Sequence, residues 1–437
     1  MSYIFYDLET SEKDFCGYIL NYCFIHTDEH FNIKSTLKGL VRPSKLKLPR
    51  VGALLANRIL MQEHSNEAKD SERDAMIRIK NYIENVIDVD KNTTLIGYNS
   101  AKFDLPFLRF SFLRYGLNPY FYGKLKYQDL LHMVRYGVVK GILPKPKKEN
   151  KLSLTLENTA NLLGVLDGEQ LHESEFDVKL TIDLAKELEE KYDISLSEFK
   201  AFENDYQSKV GEIVNFKYPD YSCENDFILK HYLIIDENAS YIKAIQISEN
   251  SSSIYSKFFK KKQDYWFKDQ STNFNSEFDY DIKKIPESFL LGGTFLRNKN
   301  LDIDSDLYGL SFKELGLLNI AIVSNNYEEL LKQDSKDLYS LYKRYQVENH
   351  IFGEDQDLDL KIQKTIYHYA GYRYSGEFAY KSFGNNILKY PSFKDFQKEI
   401  EDSKSLTSNK NDLEIIQDLV EYIKKSNLYE FGLKYLN

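Results

Sequence analysis

The sequence predicts an α/β fold for residues 1–195, a small β-rich domain over 196–345 and a helical domain over 346–437. Three observations predict it. The chain opens on an apolar and aromatic run, Tyr3-Ile4-Phe5-Tyr6, which reads as a buried strand. Helical periodicities then alternate with a second short apolar run, Thr94-Leu95-Ile96. From about Leu196 the pattern changes to short β-rich runs, and from about Leu330 it turns helical.

The first strand, Tyr3 to Thr10, carries Asp7 and Glu9 near its end. Residues two apart on a strand leave the same face, so these carboxylates repel unless a cation lies between them. Hard oxygen donors of this kind suit Mg²⁺ or Mn²⁺, although Asp-x-Glu also ends strands that run out into solvent. Gly17 to Thr27 and Phe31 to Val41 follow across short polar turns and continue the sheet as antiparallel strands.

One helix is expected from Gly52 to Gln62. A longer one starts near Ser71, with Met76, Ile79, Ile83 and Val86 on one face. Thr94 to Gly97 reads as a strand and Gly97-Tyr98-Asn99 as a turn. Pro106 marks a first helical turn, so Asp104 sits at a helix start, where capping is one role open to it. Phe107, Leu108, Phe112 and Leu113 line that helix, and a further helix is expected from Gln128 to Tyr136.

The loop from Lys140 to Lys151 holds Lys145, Lys147 and Lys148 as well. It fits either a solvated charge run or an arm over an anionic polymer. Ser153 reads as the N-cap of a helix bearing Leu156, Ala160 and Leu163, stopped by Gly164. His172 belongs to the loop before a helix that starts near Asp177 and turns Val178, Ile182, Ala185 and Leu188 inward.

Farther along, Tyr232 to Ile235, Tyr241 to Ile247, Ser253 to Phe259 and Tyr265 to Phe267 read as strands. Lys257, Lys260, Lys261 and Lys262 among them suit a surface that stacks bases and pairs phosphates. They equally suit an edge strand protected from aggregation. Ile415, Leu419, Tyr422 and Ile423 form one helical stripe near the C-terminus.

Composition excludes some classes. A net charge of −9 argues against a protein coated in nucleic acid but leaves room for local basic channels. With 47 Lys against 11 Arg, phosphate contacts are expected to be point-charge rather than forked. No run is long enough to span a bilayer, and the N-terminus lacks the regions of a signal peptide. The cysteines, Cys16, Cys23 and Cys223, form no CxxC pair, so a reduced, cytoplasmic setting is expected, with no membrane partner.

Taken together, the chain reads Asp7-x-Glu9, then Asp104 after a strand and turn, then His172-x4-Asp177 at a helix start. This order resembles the DEDD superfamily of 3′→5′ exonucleases, in its histidine branch. The sister branch uses Tyr-x3-Asp, and Glu173 stands at that spacing here. Flanking detail is similar to the exodeoxyribonuclease I family: Phe5-Tyr6-Asp7-Leu8-Glu9-Thr10, Leu48-Pro49, Gly97-Tyr98-Asn99 with Phe103-Asp104, Asn118-Pro119-Tyr120, Asp129-Leu130-Leu131 and Tyr369-Ala370-Gly371-Tyr372-Arg373-Tyr374.

The resemblance implies a ribonuclease H-like exonuclease domain with a mixed sheet, followed by an SH3-like domain and a helical domain closing a channel. It implies hydrolysis of single-stranded DNA to nucleoside 5′-monophosphates, processively, in DNA repair or recombination. The cofactor would be two Mg²⁺ ions, replaceable by Mn²⁺, held by Asp7, Glu9, Asp104 and Asp177, with His172 as general base. Leu8, Glu9, Thr10, Asn99, Phe103, Thr155, Lys151 and Arg373 would meet substrate. Where this family commonly has a substrate-contacting Arg, this chain has Thr155.

The implied partners are single-stranded DNA and a single-stranded DNA-binding protein, and the implied state is a monomer. A DEDD ribonuclease trimming RNA 3′ ends is the alternative within the class. A silent nucleic-acid-binding protein is the alternative outside it. If the helical domain encloses the strand, a chain lacking 346–437 should still cut but should release substrate often.

Overall fold

The computed structural model describes residues 1–13, 17–43, 48–115, 117–121, 124–166, 173–197, 213–219, 227–237, 241–247, 256–260, 267–268 and 393–426. Three strands open the chain: β1 (Ser2–Thr10), β2 (Ile19–Asp28) and β3 (Ile33–Leu40). They form the expected antiparallel meander. On the other side of β1 lie two parallel strands, β4 (Thr93–Gly97) and β5 (Leu125–Asp129), giving the order β3-β2-β1-β4-β5. β1 is therefore the central strand of a mixed sheet.

The alternation of β1 divides two cores. Tyr3 and Phe5 face α5 (Leu130–Lys140), α6 (Leu156–Leu162) and α7 (Ser174–Tyr192). Ile4, Tyr6 and Leu8 face α3 (Glu72–Val89) and α4 (Asp104–Arg114). Ser71 caps α3 by accepting from the Asp74 N–H, and Met76, Ile79, Ile83 and Val86 are buried as their spacing predicts.

Four local expectations are corrected. The single helix expected over 52–62 is two, α1 (Val51–Asn57) and α2 (Met61–Glu67). Between them Arg58 adopts φ 56°, a left-handed residue that ends α1 and turns the chain. Gln128 and Asp129 belong to β5 rather than to a helix. Its alternation is blurred because Lys126 is exposed and Tyr127 and Gln128 are only partly covered. The cap of α6 is Thr155, whose Oγ1 accepts from the Asn158 N–H at 3.3 Å, not Ser153. Asp104 is not a cap either: Phe103 holds that position, and Asp104 is the first helical residue.

Five further strands, β8 (Ile213–Pro219), β9 (Phe227–Glu237), β10 (Tyr241–Ile247), β11 (Ser256–Lys260) and β12 (Phe267–Lys268), form an antiparallel sheet. Its order is β11-β10-β9-β8-β12. The expected runs at Tyr232, Tyr241 and Ser253 thus fall on β9, β10 and β11. Lys261, Lys262, Arg373 and the Tyr369–Tyr374 motif lie outside the described residues.

Two C-terminal helices, α8 (Phe393–Leu406) and α9 (Lys410–Lys425), return to the first domain. The stripe Ile415, Leu419, Tyr422 and Ile423, with Ile416 and Phe396, is buried against Tyr18, Leu20, Leu48, Val51, Leu54 and Met61. Polar contacts frame this patch. Arg50 pairs with Glu399 at 2.5 Å, and the Gln62 amide donates to Asp418 Oδ1 at 2.9 Å. The tail is part of the first domain's core, which alters what its removal should do. Among the described residues no helix is long and apolar enough to cross a membrane.

Candidate active site

Asp7 and Glu9 project from the end of β1 onto the face covered by α7. The first turn of α7 brings Asp177 to them. Ser174 at its start donates to the Asn21 side chain of β2, and Glu175 pairs with Lys38 of β3. Asn21 lies opposite Glu9 in the β1–β2 register, so these contacts set the helix against the carboxylates. One oxygen from each of Asp7, Glu9 and Asp177 lies within 4.8 Å of the others. Glu9 and Asp177 are buried, and Asp7 keeps partial access to solvent.

Asp104 arrives from the opposite side. The β1–β4 pairing runs only from Ser2 to Phe5. Beyond it the Leu8 N–H lies near enough to the Asp104 carboxylate to lower its pKa, which sets Asp104 beside the end of β1. It is not a member of the close trio. Burial raises all these carboxyls first, and mutual repulsion adds to it. Glu9 is pushed up to about 8 by burial and then by Asp177 and Asp104. Asp104 is raised to about 7 by burial, opposed by its own and the Leu8 N–H groups. Asp7 lies well above the usual range through burial, Asp104, Glu9 and Asp177.

Clustered carboxylates that burial and mutual repulsion push upward in pKa gain a favourable counter-charge from a divalent cation. The donor set is all hard oxygen, and it fits a divalent ion of the Mg²⁺ or Mn²⁺ kind. The trio can hold such an ion.

A pH dependence follows. Between the unfolded carboxyl range near 4 and the folded values near 7–8, the metal-free folded chain binds more protons than the unfolded chain. Stability is thus fully present below the unfolded pKa and is lost as pH rises through the folded one. In chelator, the thermal midpoint should fall from pH 5 to 8, and Mg²⁺ should restore more of it at pH 8 than at pH 5. A midpoint in Glu9→Gln that falls as steeply as the parent's would refute this origin.

The other predicted contacts have mixed fates. Leu8 turns its side chain into the α3 and α4 core and offers only its backbone at the site. Thr10 is buried, and its hydroxyl donates to the Glu12 carbonyl at 2.8 Å. Phe103 packs beside the same core, 5.9 Å from the Phe107 ring. His172 lies outside the described residues, although Glu173 and Ser174 immediately after it begin α7.

Asn99, Lys151 and Thr155 come together in a cleft of about 610 Å³. Tyr98, Arg135 and Lys148 also line it: Lys148 comes from the loop read as a charge run or an arm over an anionic polymer, Tyr98 from the Gly97-Tyr98-Asn99 turn, and Arg135 was not predicted. The lysines sit on a two-stranded hairpin, β6 (Lys147–Lys148) and β7 (Lys151–Leu152). Its turn residues Glu149 and Asn150 have φ 51° and 63°, the positive values a tight hairpin turn requires. Thr155 spends its hydroxyl on the cap of α6, so the basic groups of this cleft belong to Arg135, Lys148 and Lys151. Asn99 follows β4 and Asp129 ends β5, so the cleft lies outside the carboxyl ends of the parallel strands, a common place for ligands in α/β sheets.

No family model and no curated protein match the sequence. Solved structures do match its fold. The class is an α/β fold with a mixed sheet whose central strand ends in acidic residues, capped by an acid-bearing helix. The particular fold is that of exonuclease I. A zinc-bound complex of the Escherichia coli enzyme with single-stranded DNA is 15% identical and has a TM-score of 0.59, over 98% of this chain and 99% of that one. Exonuclease I from Methylocaldum szegediense is 13% identical with a TM-score of 0.59, over 97% and 99%. A complex of exonuclease I with SSB-Ct is 15% identical with a TM-score of 0.58, over 97% and 99%. What is shared at these identities is the fold.

Proposed function

We propose that the chain is a Mg²⁺-dependent 3′→5′ exonuclease that hydrolyses single-stranded DNA to nucleoside 5′-monophosphates. The observation that carries this is the Asp7, Glu9 and Asp177 trio at the end of the central strand in a chain with the exonuclease I fold. Two bound divalent ions would supply Lewis acidity to the attacking and leaving oxygens of the phosphodiester. Asp7 would hold both, Glu9 and Asp177 the first, and Asp104 the second.

The protein's own groups do the rest. His172 accepts the proton of the attacking water, a role suited to an imidazole that titrates near neutrality. Lys148, Lys151 and Arg135 draw substrate phosphates into the cleft, and Tyr98 and Asn99 line the approach. The backbone around Leu8, with Glu9 and Thr10, would meet the 3′-terminal nucleotide. Arg373 is the candidate contact beyond the first domain. The reading extends to a cytoplasmic monomer in DNA repair or recombination. It takes a single-stranded DNA-binding protein as candidate partner, following the SSB-Ct complex of exonuclease I.

The test is degradation of end-labelled single-stranded DNA, duplex DNA and RNA, each with and without Mg²⁺. Shortening of the single strand from its 3′ end, only with metal, is expected. Preference for RNA would move the assignment to an RNA-trimming member of the class, and no nucleotide release would leave a binding protein. His172→Ala should lower the rate about 10²–10⁴-fold and remove the neutral limb of the pH–rate profile, with metal binding retained. A variant with full activity would place His172 outside the chemistry.

A further inference from the structure

Asp104 can serve only if the turn that delivers it is held. That turn, residues 97–103, is tightly built. A Cβ on Gly97 would stand 2.5 Å from that of Ser100 and 3.0 Å from the Tyr6 carbonyl, so no side chain fits there. Asn99 has φ 59°, and α4 begins without a side-chain cap. The turn's N–H groups instead converge on one buried carboxylate of another element. Asp129 Oδ1 accepts from the Asn99 N–H at 2.8 Å, and Oδ2 accepts from the Ala101 N–H at 3.0 Å. Oδ1 also caps α5 by accepting from the Leu131 N–H at 3.0 Å. The Ser100 carbonyl then takes the Leu105 N–H at 2.8 Å, which fixes the first turn of α4.

We infer that Asp129 is the positioning residue of the site: its carboxylate locks the β4–α4 turn so that Asp104 is aimed at β1. The inference rests on the metal-site reading above. Only a carboxylate serves. Three N–H groups approach two oxygens, and an amide would turn one NH₂ donor against one of them. Arg135 favours the charged form of this carboxylate through its nearby positive charge, and the His132 Nε2 lies 3.8 Å from Oδ2. The His132 distance is beyond hydrogen-bond range, and burial, with Arg135 and Lys102 nearby, lowers the pKa of its imidazole. Loss of an outer partner of a metal ligand typically costs 10–100-fold in metal affinity.

The experiment is calorimetric titration of Mn²⁺ into the full-length chain, with amide exchange at Asn99 and Ala101. Asp129→Asn should weaken Mn²⁺ binding about 10–100-fold and release both amides to exchange, and it should lower kcat more than it raises KM. Ile83→Val, in the α3 part of the core and outside the 97–103 turn, supplies a destabilised control and should leave Mn²⁺ affinity unchanged. Asp129→Glu keeps two acceptor oxygens on a longer arm and should show an intermediate loss; it stands in if the Asn variant does not fold. Unchanged Mn²⁺ affinity in the Asp129 variants, or an equal loss in Ile83→Val, overturns the inference alone. A parent chain that takes up no Mn²⁺ overturns the metal-site reading, and this inference with it.

Discussion

Asp7→Asn should abolish nucleotide release while making the metal-free protein more stable. The two effects share one cause. Asp7 sits with Glu9 and Asp177 in a trio whose oxygens lie within 4.8 Å, and Asp104 adds to the repulsion. An amide relieves that repulsion in the absence of a cation, so the thermal midpoint in chelator at pH 8 should rise. The same amide is a poor ligand for a hard ion. A rate loss of at least about 10³-fold is expected, or roughly 4 kcal/mol of transition-state stabilisation. Single-strand binding should persist, because the basic cleft at Arg135, Lys148 and Lys151 is untouched. Asp177→Asn should behave alike. Near-normal turnover in either variant would remove the site assignment. An unchanged midpoint with lost activity would show that the carboxylates do not strain the empty site.

Deleting residues 393–437 should unfold the first domain rather than merely shorten its grip on a strand. Phe396, Ile415, Ile416, Leu419, Tyr422 and Ile423 are all buried against α1, α2 and the start of β2. At roughly 1.5–3 kcal/mol for each fully buried apolar side chain, their loss forfeits on the order of 10 kcal/mol, which rivals the whole stability of a typical domain. The exposed patch would include Tyr18 and Leu20, near the β2 residues that pair with the end of β1.

The damage would reach the site. The Asn57 side chain at the end of α1 donates to the Thr10 carbonyl at 3.1 Å, and the Arg50 N–H donates to the Ser11 carbonyl at 2.8 Å. The measurement is the yield, thermal midpoint and single-turnover cleavage of chain 1–392 beside the full chain. A well-folded truncation that still cuts, with only its run length shortened under an unlabelled trap, would restore the view of the tail as a pure clamp. Leu419→Asp tests the same contact by a single residue and should lower the midpoint sharply.

The sequence by itself determined the central strand and the paired carboxylates at its end. Two carboxylates at a spacing of two must share a face of a strand, and a buried run such as Tyr3 to Tyr6 leaves little choice of element. Helix positions were equally legible wherever apolar residues recurred at three and four, as in α3 and α7. These signals are local, so one stretch of chain carries each of them whole.

Tertiary structure alone decided what depends on partners distant in sequence. β5 was missed because its alternation, Leu125-Lys126-Tyr127-Gln128, is only four residues long and runs directly into the apolar periodicity of α5. Thr155 rather than Ser153 caps α6, because capping depends on where the backbone leaves the β6–β7 hairpin. Asp129 read as part of a helix starting at Gln128, and its tie to the turn was not legible, since its Asn99 and Ala101 partners lie 30 and 28 residues away. The stripe on α9 was visible as a stripe, but a periodicity says only that one face is apolar. Which surface covers it, here the α1 and α2 face of the first domain, is a matter of complementary shape and area, and only folding brings those surfaces together.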